Sequence, residues 1–235
     1  MRSLPLILVL FISFNCFSKT IFESGTQKTQ LLQLFTSEGC SSCPLADKWL
    51  STQKSNPELF KSFIPMAFHV DYWDRLGWKD TYSQSKFTDR QRLLKSQGLI
   101  KSVYTPGIIF EDKEFRQWFK GNGTITTTNQ AAKKLMATIE NDVLIVNYDS
   151  DQTDLVVNIA YLKMNEVVDI NRGENSGKQL KHDFVVLEMM QVRYKKNTPI
   201  ILDFLTEGKN KDTALSIWIT KDNRLENLQA VGGYL

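Results

Sequence analysis

The chain reads as an α/β layer domain followed by a β-rich, sandwich-like domain. Three observations lead there. Between Leu31 and about Asn141, apolar strand-like runs alternate with segments of helical spacing, as in an α/β layer fold. From Val143 onward, short apolar runs recur between polar turns with no helical stretch, as in a sandwich. Cys40 and Cys43 stand where the first apolar strand gives way to the first helix. The bounds that follow are 19–142 and 143–235, after a leader of residues 1–18.

The leader comes first. Arg2 supplies a positive start, Leu4 to Phe14 an apolar run, and Ser18 a small residue for cleavage, which is the pattern of a secretory signal. The run is about half of the ~20 residues that a bilayer span needs. An anchor through Cys16 is the alternative, with Asn15 where lipoprotein signals carry a small residue. The mature chain is thus expected in the periplasm or secreted, without a transmembrane span. Of three cysteines it keeps Cys40 and Cys43.

Leu31 to Phe35 forms a strand that stops at Thr36-Ser37-Glu38-Gly39. Pro44 suits the first turn of a helix, where its missing N–H costs nothing, and Leu45, Trp49 and Thr52 then share one face. Phe63 to Val70 is a second strand. Thr88 with Gln91 resembles a capping box for a helix that carries Leu94 and stops at Gly98. Val103 to Phe110 is a strand interrupted by Pro106. Ala132, Leu135, Met136 and Ile139 have helical spacing, with Thr128 or Asn129 as N-cap. Strands follow at Leu144–Tyr148, Leu155–Leu162, Phe184–Val192, Ile200–Phe204, Leu215–Ile219 and Leu228–Val231.

Composition narrows the function. Of 235 residues, 42% are apolar and 23% charged, which excludes a disordered chain, a collagen-like fibre and a multi-span membrane protein. A net charge of +3, with basic residues scattered, provides no basic stripe for nucleic acid.

The chemistry centres on Cys40-Ser41-Ser42-Cys43. A structural disulfide stabilises most when it closes a long loop. A bridge across two residues closes almost none, so redox chemistry or metal binding explains this pair better. Cys40 at a helix N-terminus would be favoured as the attacking thiolate, and Cys43, one turn in, would resolve the mixed disulfide. Downstream, Thr105-Pro106 precedes a strand, and a proline there can expose the Thr105 backbone to an extended substrate.

Other groups stand near in sequence. His69 and Asp71 flank Val70 at a strand's carboxyl end, where α/β sheets bind ligands, so Asp71 is positioned to orient His69 for proton transfer. Glu38 is a second proton-transfer candidate. Tyr72, Trp73 and Trp78 either line a substrate groove or pack a core. Arg172-Gly173-Glu174-Asn175-Ser176-Gly177 is a tight loop. In it Arg172 and Glu174 pair, or the loop reaches the cysteine face. His182, isolated in sequence, reads as a surface histidine.

Leu34-Phe35-Thr36-Ser37-Glu38-Gly39-Cys40-Ser41-Ser42-Cys43-Pro44 resembles the opening of a secreted thioredoxin-like family known as domain of unknown function 1223. Phe68-His69-Val70-Asp71-Tyr72-Trp73-Asp74, Leu76-Gly77-Trp78-Lys79-Asp80, Ser102-Val103-Tyr104-Thr105-Pro106 and Arg172-Gly173-Glu174-Asn175-Ser176-Gly177-Lys178 match as well. The resemblance, over roughly 31 to 232, implies a thioredoxin-like domain followed by a β-rich one, exported. Family members commonly carry a second proline where this chain has Leu45. Thioredoxins at large place a buried Asp six residues before the first cysteine, and here that position is Leu34.

Three functions compete. The first is an exported thiol–disulfide oxidoreductase acting on a thiol- or disulfide-bearing substrate, with an unknown electron donor or acceptor and no cofactor beyond its own disulfide. The second is Cu(I) binding or delivery through Cys40, Cys43 and His69, a donor set suited to that ion. The third is a non-catalytic binding module.

Overall fold

The computed structural model describes residues 19–120, 123–196, 198–204 and 212–235. The expected leader, with Cys16, lies outside them. Among the described residues the protein is mostly β, with β1 (Lys19–Glu23), β2 (Gln30–Thr36), β3 (Phe63–His69), β4 (Gly107–Phe110) and β5 (Lys113–Glu114). Then come β6 (Leu135–Glu140), β7 (Val143–Tyr148), β8 (Leu155–Lys163), β9 (Glu166–Asp169) and β10 (Gln179–His182). The last are β11 (Val185–Arg193), β12 (Ile200–Asp203), β13 (Thr213–Lys221) and β14 (Asn227–Tyr234). Two α-helices interrupt them, α1 (Cys43–Thr52) and α2 (Ser85–Ser96).

The main sheet has eight strands in the order β14-β13-β8-β11-β3-β2-β4-β5. At its centre β2 and β3 run parallel from Gln30↔Phe63 to Thr36↔His69, and α1 makes the crossover that a parallel pair requires. β4 lies antiparallel on the other side of β2. β11 joins β3 through Val185↔Ala67, so strands from both halves of the sequence share one sheet. A second sheet has the order β1-β6-β7-β12, and β9 and β10 form a separate hairpin.

Side-chain alternation builds two cores. On β8, Ala160 and Leu162 face one core while Leu155, Val157 and Ile159 face the other. On β13, Ala214 and Trp218 divide likewise from Leu215, Ile217 and Ile219. The first core includes Ala46 and Leu50 of α1 with Phe87 and Leu94 of α2. The second includes Leu135, Ala137 and Ile139 of β6.

Several expectations change. The chain passes residue 142 inside the β6–β7 hairpin, whose turn residues Asn141 and Asp142 have φ of 52° and 58°. The helix read at Ala132–Ile139 is strand β6. Leu135 and Ile139 fit either period, but pairing with both β1 and β7 satisfies this backbone as a strand. Thr128 caps no helix; it exchanges hydrogen bonds with the Gln30 side chain. α2 begins at Ser85, so Thr88 lies inside it, buried. α1 buries Cys43, Ala46, Asp47 and Leu50, leaving Leu45 69% exposed, not on the packed face. The β9–β10 hairpin was not expected; only its connecting loop carried a sequence signal.

Candidate functional site

β2 ends at Thr36, and Ser37, Glu38 and Gly39 turn the chain towards α1. Cys40 N–H donates to Ser37 O (3.1 Å) and Cys43 N–H to Cys40 O (3.2 Å). This tight turn brings Cys40 and Cys43 together as a disulfide. Cys43 is the first residue of α1 and Ser42 its N-cap, so Cys40 sits in the preceding turn rather than on the helix. Its sulfur is 3.4 Å from Ser42 Oγ. Both cysteines are buried, 1% and 0% exposed.

Two loops cover the pair. From the sheet side, Trp73 packs against Gly39, where an added Cβ would come within 3.2 Å of the Trp73 Cβ. From the second half, the loop between β9 and β10 reaches the cysteine face. Ser41 N–H donates to Glu174 Oε2 (3.0 Å), and Asn175 Nδ2 donates to Glu38 O (2.8 Å) and Cys40 O (3.0 Å). Hydrogen bonding from Ser41 holds the Glu174 carboxyl below its usual range. Glu174 thus turns to Ser41 and not to Arg172. Gly77 and Gly173, both at positive φ, allow the two loops to meet backbone to backbone.

The Thr105–Pro106 peptide is cis and precedes β4, whose Gly107 pairs with Phe35 near the end of β2. Trp73 Nε1 donates to Thr105 Oγ1 (2.7 Å), Tyr72 OH to Gln91 Oε1 (3.2 Å) and Gln91 Nε2 to Tyr104 O (2.7 Å). Burial pushes the Tyr72 phenol up to about 12. Tyr72 and Trp73 brace the Thr105 loop through these hydrogen bonds. The open cleft lies next to them, about 330 Å3, walled by Ser42, Leu45, Thr105, Pro106, Trp118 and Phe119. Arg116 stacks on Tyr104 at its rim. Leu45 and Phe119, 59% exposed, give it apolar walls. Sequence reading missed Arg116, Trp118 and Phe119, which carry no motif.

Behind the cysteines lies a buried group of ionisable side chains. His69 Nδ1 is 2.8 Å from Asp80 Oδ2, and both side chains are fully buried. Burial disfavours the imidazolium, but the charge and hydrogen bond of Asp80 outweigh it and raise the His69 pKa. Asp80 is likewise held low: burial opposes its ionisation, and His69 outweighs that. The partner of His69 is thus Asp80, not Asp71. β3 ends at His69, so strand alternation does not carry through Val70. Asp71 instead accepts from Thr88 Oγ1 (2.5 Å).

Glu38 is also fully buried, not a solvated loop residue. Its Oε2 accepts from Trp78 Nε1 (2.6 Å) and Thr81 N–H (3.1 Å), and burial with the nearby Asp80 charge raises its pKa. Trp78 is therefore a partner of the Glu38 carboxylate. His182, read as a surface residue, is buried at the end of β10 beside Glu38, Asp47 and His69. Asp47, missed in the sequence, lies one helical turn after Cys43 on the same buried face. Cys40 and Cys43 are joined to each other, and His69 Nδ1 is engaged by Asp80. Among the described residues no three His, Cys, Asp or Glu side chains are grouped to hold a metal ion. Nor is any helix among them long and apolar enough to cross a membrane.

Fold and site define a mostly β protein with a two-residue-spaced disulfide at a strand-to-helix turn, roofed by a loop from a distant hairpin. The family described as protein of unknown function (DUF1223) matches residues 31–220, and the chain belongs to that family. Among solved structures, the chain is similar to the crystal structure of an Agrobacterium tumefaciens protein, at 20% identity and a TM-score of 0.61, covering 90% of this chain and 96% of that one. It is also similar to HBP35 of Porphyromonas gingivalis, at 14% identity and a TM-score of 0.54, covering 90% and 76%. No curated protein matches.

Proposed function

We propose that this protein is an exported thiol–disulfide oxidoreductase whose redox centre is Cys40–Cys43. The observation that carries the reading is where the disulfide stands. It closes only two residues, at the carboxyl end of a central parallel strand, beside an open cleft that ends at Pro106. So short a bridge does little to restrict the unfolded chain, whereas strand ends of this kind are where α/β sheets place chemistry. The unit β2–α1–β3, with β4 antiparallel after Thr105–Pro106, is the part assigned here to a thioredoxin-like domain.

The substrate is a protein segment with a thiol or disulfide. The cleft offers it the apolar walls of Leu45, Trp118 and Phe119 and the Thr105 backbone. Exchange then runs through a mixed disulfide on Cys40, which Cys43 resolves. His69, Asp80 and Glu38 set the charge behind the pair without touching the substrate cleft.

The test is single-turnover exchange between the oxidised protein and a reduced dithiol peptide. Mass-tagged thiols should appear on Cys40 and Cys43 as the peptide forms its disulfide. Cys43→Ser, offered the peptide in its disulfide form, should trap a mixed disulfide on Cys40, the other peptide sulfur leaving as a thiol. An inert wild type would sink the reading.

A further inference from the structure

We propose that Asp47 and His182 form a proton relay between Cys43 and the cleft on the far side of α1, so that proton exchange runs behind the helix and not across the substrate face. The proposal rests on the oxidoreductase reading.

Four observations lead to it. Cys43 and Asp47 are four apart on the buried face of α1, the spacing that makes helical side chains neighbours. Thr36 Oγ1 donates to Asp47 Oδ2 (3.1 Å) and fixes the carboxylate. His182 bridges onward, with Nδ1 3.8 Å from Asp47 Oδ2 and Nε2 4.0 Å from Glu38 Oε1. Those gaps exceed a hydrogen bond and suit one small shift or one intervening water.

The third observation is that the polar atoms are left over. Both ring nitrogens of His182, Glu38 Oε1 and His69 Nε2 are buried without a hydrogen-bond partner. Each such orphan is destabilising, because a buried polar atom has given up its water without gaining a partner. Their convergence on one place behind the disulfide fits a site that passes protons.

The fourth is access. A cleft of about 430 Å3 between α1 and β10 is lined by Asp47 and His182, with Pro44, Lys48, Ser51 and Lys181 at its walls. His182 is 1% exposed, yet it borders this opening. Imidazole is the side chain suited to handing protons on near neutral pH. The groups that face His182 are Glu38 from the turn after β2, Asp47 from α1, His69 from β3, Tyr82 from the loop before α2 and Glu166 opposite it on β9. Asp183, next to it, is paired with Lys54.

The step balances. A substrate thiolate attacks Cys40 sulfur, the Cys40–Cys43 bond breaks, and its electron pair leaves on Cys43. Cys43 takes a proton from the relay, which refills from the cleft. The second substrate thiol sheds its proton and attacks the substrate sulfur of the mixed disulfide, expelling Cys40, which is protonated from solvent. Two electrons pass from the substrate dithiol to the cysteines. The two protons shed by the substrate match the two gained by Cys43 and Cys40.

The experiment is stopped-flow reduction of the oxidised protein by dithiothreitol across pH 5.5 to 8.5, with Asp47→Asn and His182→Ala. Both variants should be slowed at least about tenfold at neutral pH, a modest general-acid effect. The double variant should be no slower than Asp47→Asn alone. Added imidazole should restore His182→Ala in proportion to its protonated fraction, which a purely structural loss would not do. Ser51→Trp leaves both residues in place and narrows the cleft. It should slow reduction too, which keeps a test available if His182→Ala fails to fold. Wild-type rates and pH profile in Asp47→Asn and Ser51→Trp would overturn the relay while leaving the oxidoreductase reading intact. A wild type that no dithiol reduces would overturn both.

Discussion

Asn175 donates one side-chain amide to the backbone oxygens of both Glu38 and Cys40, at 2.8 and 3.0 Å. A residue from the β9–β10 hairpin thereby clamps a turn that lies in the first fifth of the chain. Both carbonyls are buried with the cysteines, so the clamp satisfies groups that folding removes from water.

Asn175→Ala should therefore loosen the roof over the disulfide. Expected are a loss of about 1–3 kcal/mol of stability, from the unpartnered carbonyls, and faster reduction of Cys40–Cys43. Urea unfolding and the rate of thiol trapping under dithiothreitol read the two effects. Slower or unchanged reduction would show that the loop does not control access.

The buried charges give a pH signature. The His69 pKa lies above its ordinary value of 6.5, so its contribution is full below about pH 6.5 and is lost as pH rises through the folded value. Glu38, also raised from 4.5, loses its contribution as pH rises through its own folded value. Asp80 is depressed below 3.8, so its contribution is present above about pH 4 and is lost as pH falls through the folded value. Urea midpoints should fall as pH rises beyond neutrality. His69→Leu, which leaves Asp80 buried without its partner, should lose about 3–5 kcal/mol and flatten the fall. Retention of the wild-type slope in His69→Leu would count against this assignment.

The cleft makes a separable prediction. Leu45 and Phe119 are exposed, so Leu45→Asp and Phe119→Asp should barely change stability. KM for a peptide dithiol should rise about tenfold or more, while the rate with dithiothreitol, too small to span the cleft, stays put. Equal loss with both reductants would place the effect on the disulfide itself.

Gly232 tests the sheet that unites the two halves. A Cβ there would lie 2.3 Å from Leu215 O across the β13–β14 pair, a contact only backbone movement can relieve. Gly232→Ala should cost several kcal/mol in thermal unfolding, whereas Gly177→Ala, with nothing within 4 Å of the added Cβ, should cost only the strain of its φ of 80°. Equal melting temperatures would contradict the strand pairing.

Much of the site was legible because it is local. The Cys-x-x-Cys spacing, Pro44 at the helix start and Thr105-Pro106 before β4 are short-range signals, and strands β7, β8 and β11 to β14 announced themselves by apolar runs, whereas β9 and β10 did not. What was hidden is long-range. His182 looks isolated because its neighbours Glu38, Asp47 and His69 lie more than a hundred positions away. Asp80 displaced Asp71 as the partner of His69 because a loop, not strand alternation, folds it back. Asp47 was findable: it follows Cys43 by four residues on a helix that had been placed. β6 misread as helix because Leu135 and Ile139 satisfy both periods, and only pairing with β1 and β7 decides between them.

The most direct test of the central claim is the reduction potential of Cys40–Cys43, taken by equilibrating the protein in graded glutathione buffers and counting alkylated thiols. A reversible two-electron transition between about −120 and −270 mV, the span of known thiol–disulfide oxidoreductases, is the result expected. A potential below about −300 mV, where structural disulfides lie, would contradict it, as would a pair that never re-forms its bond.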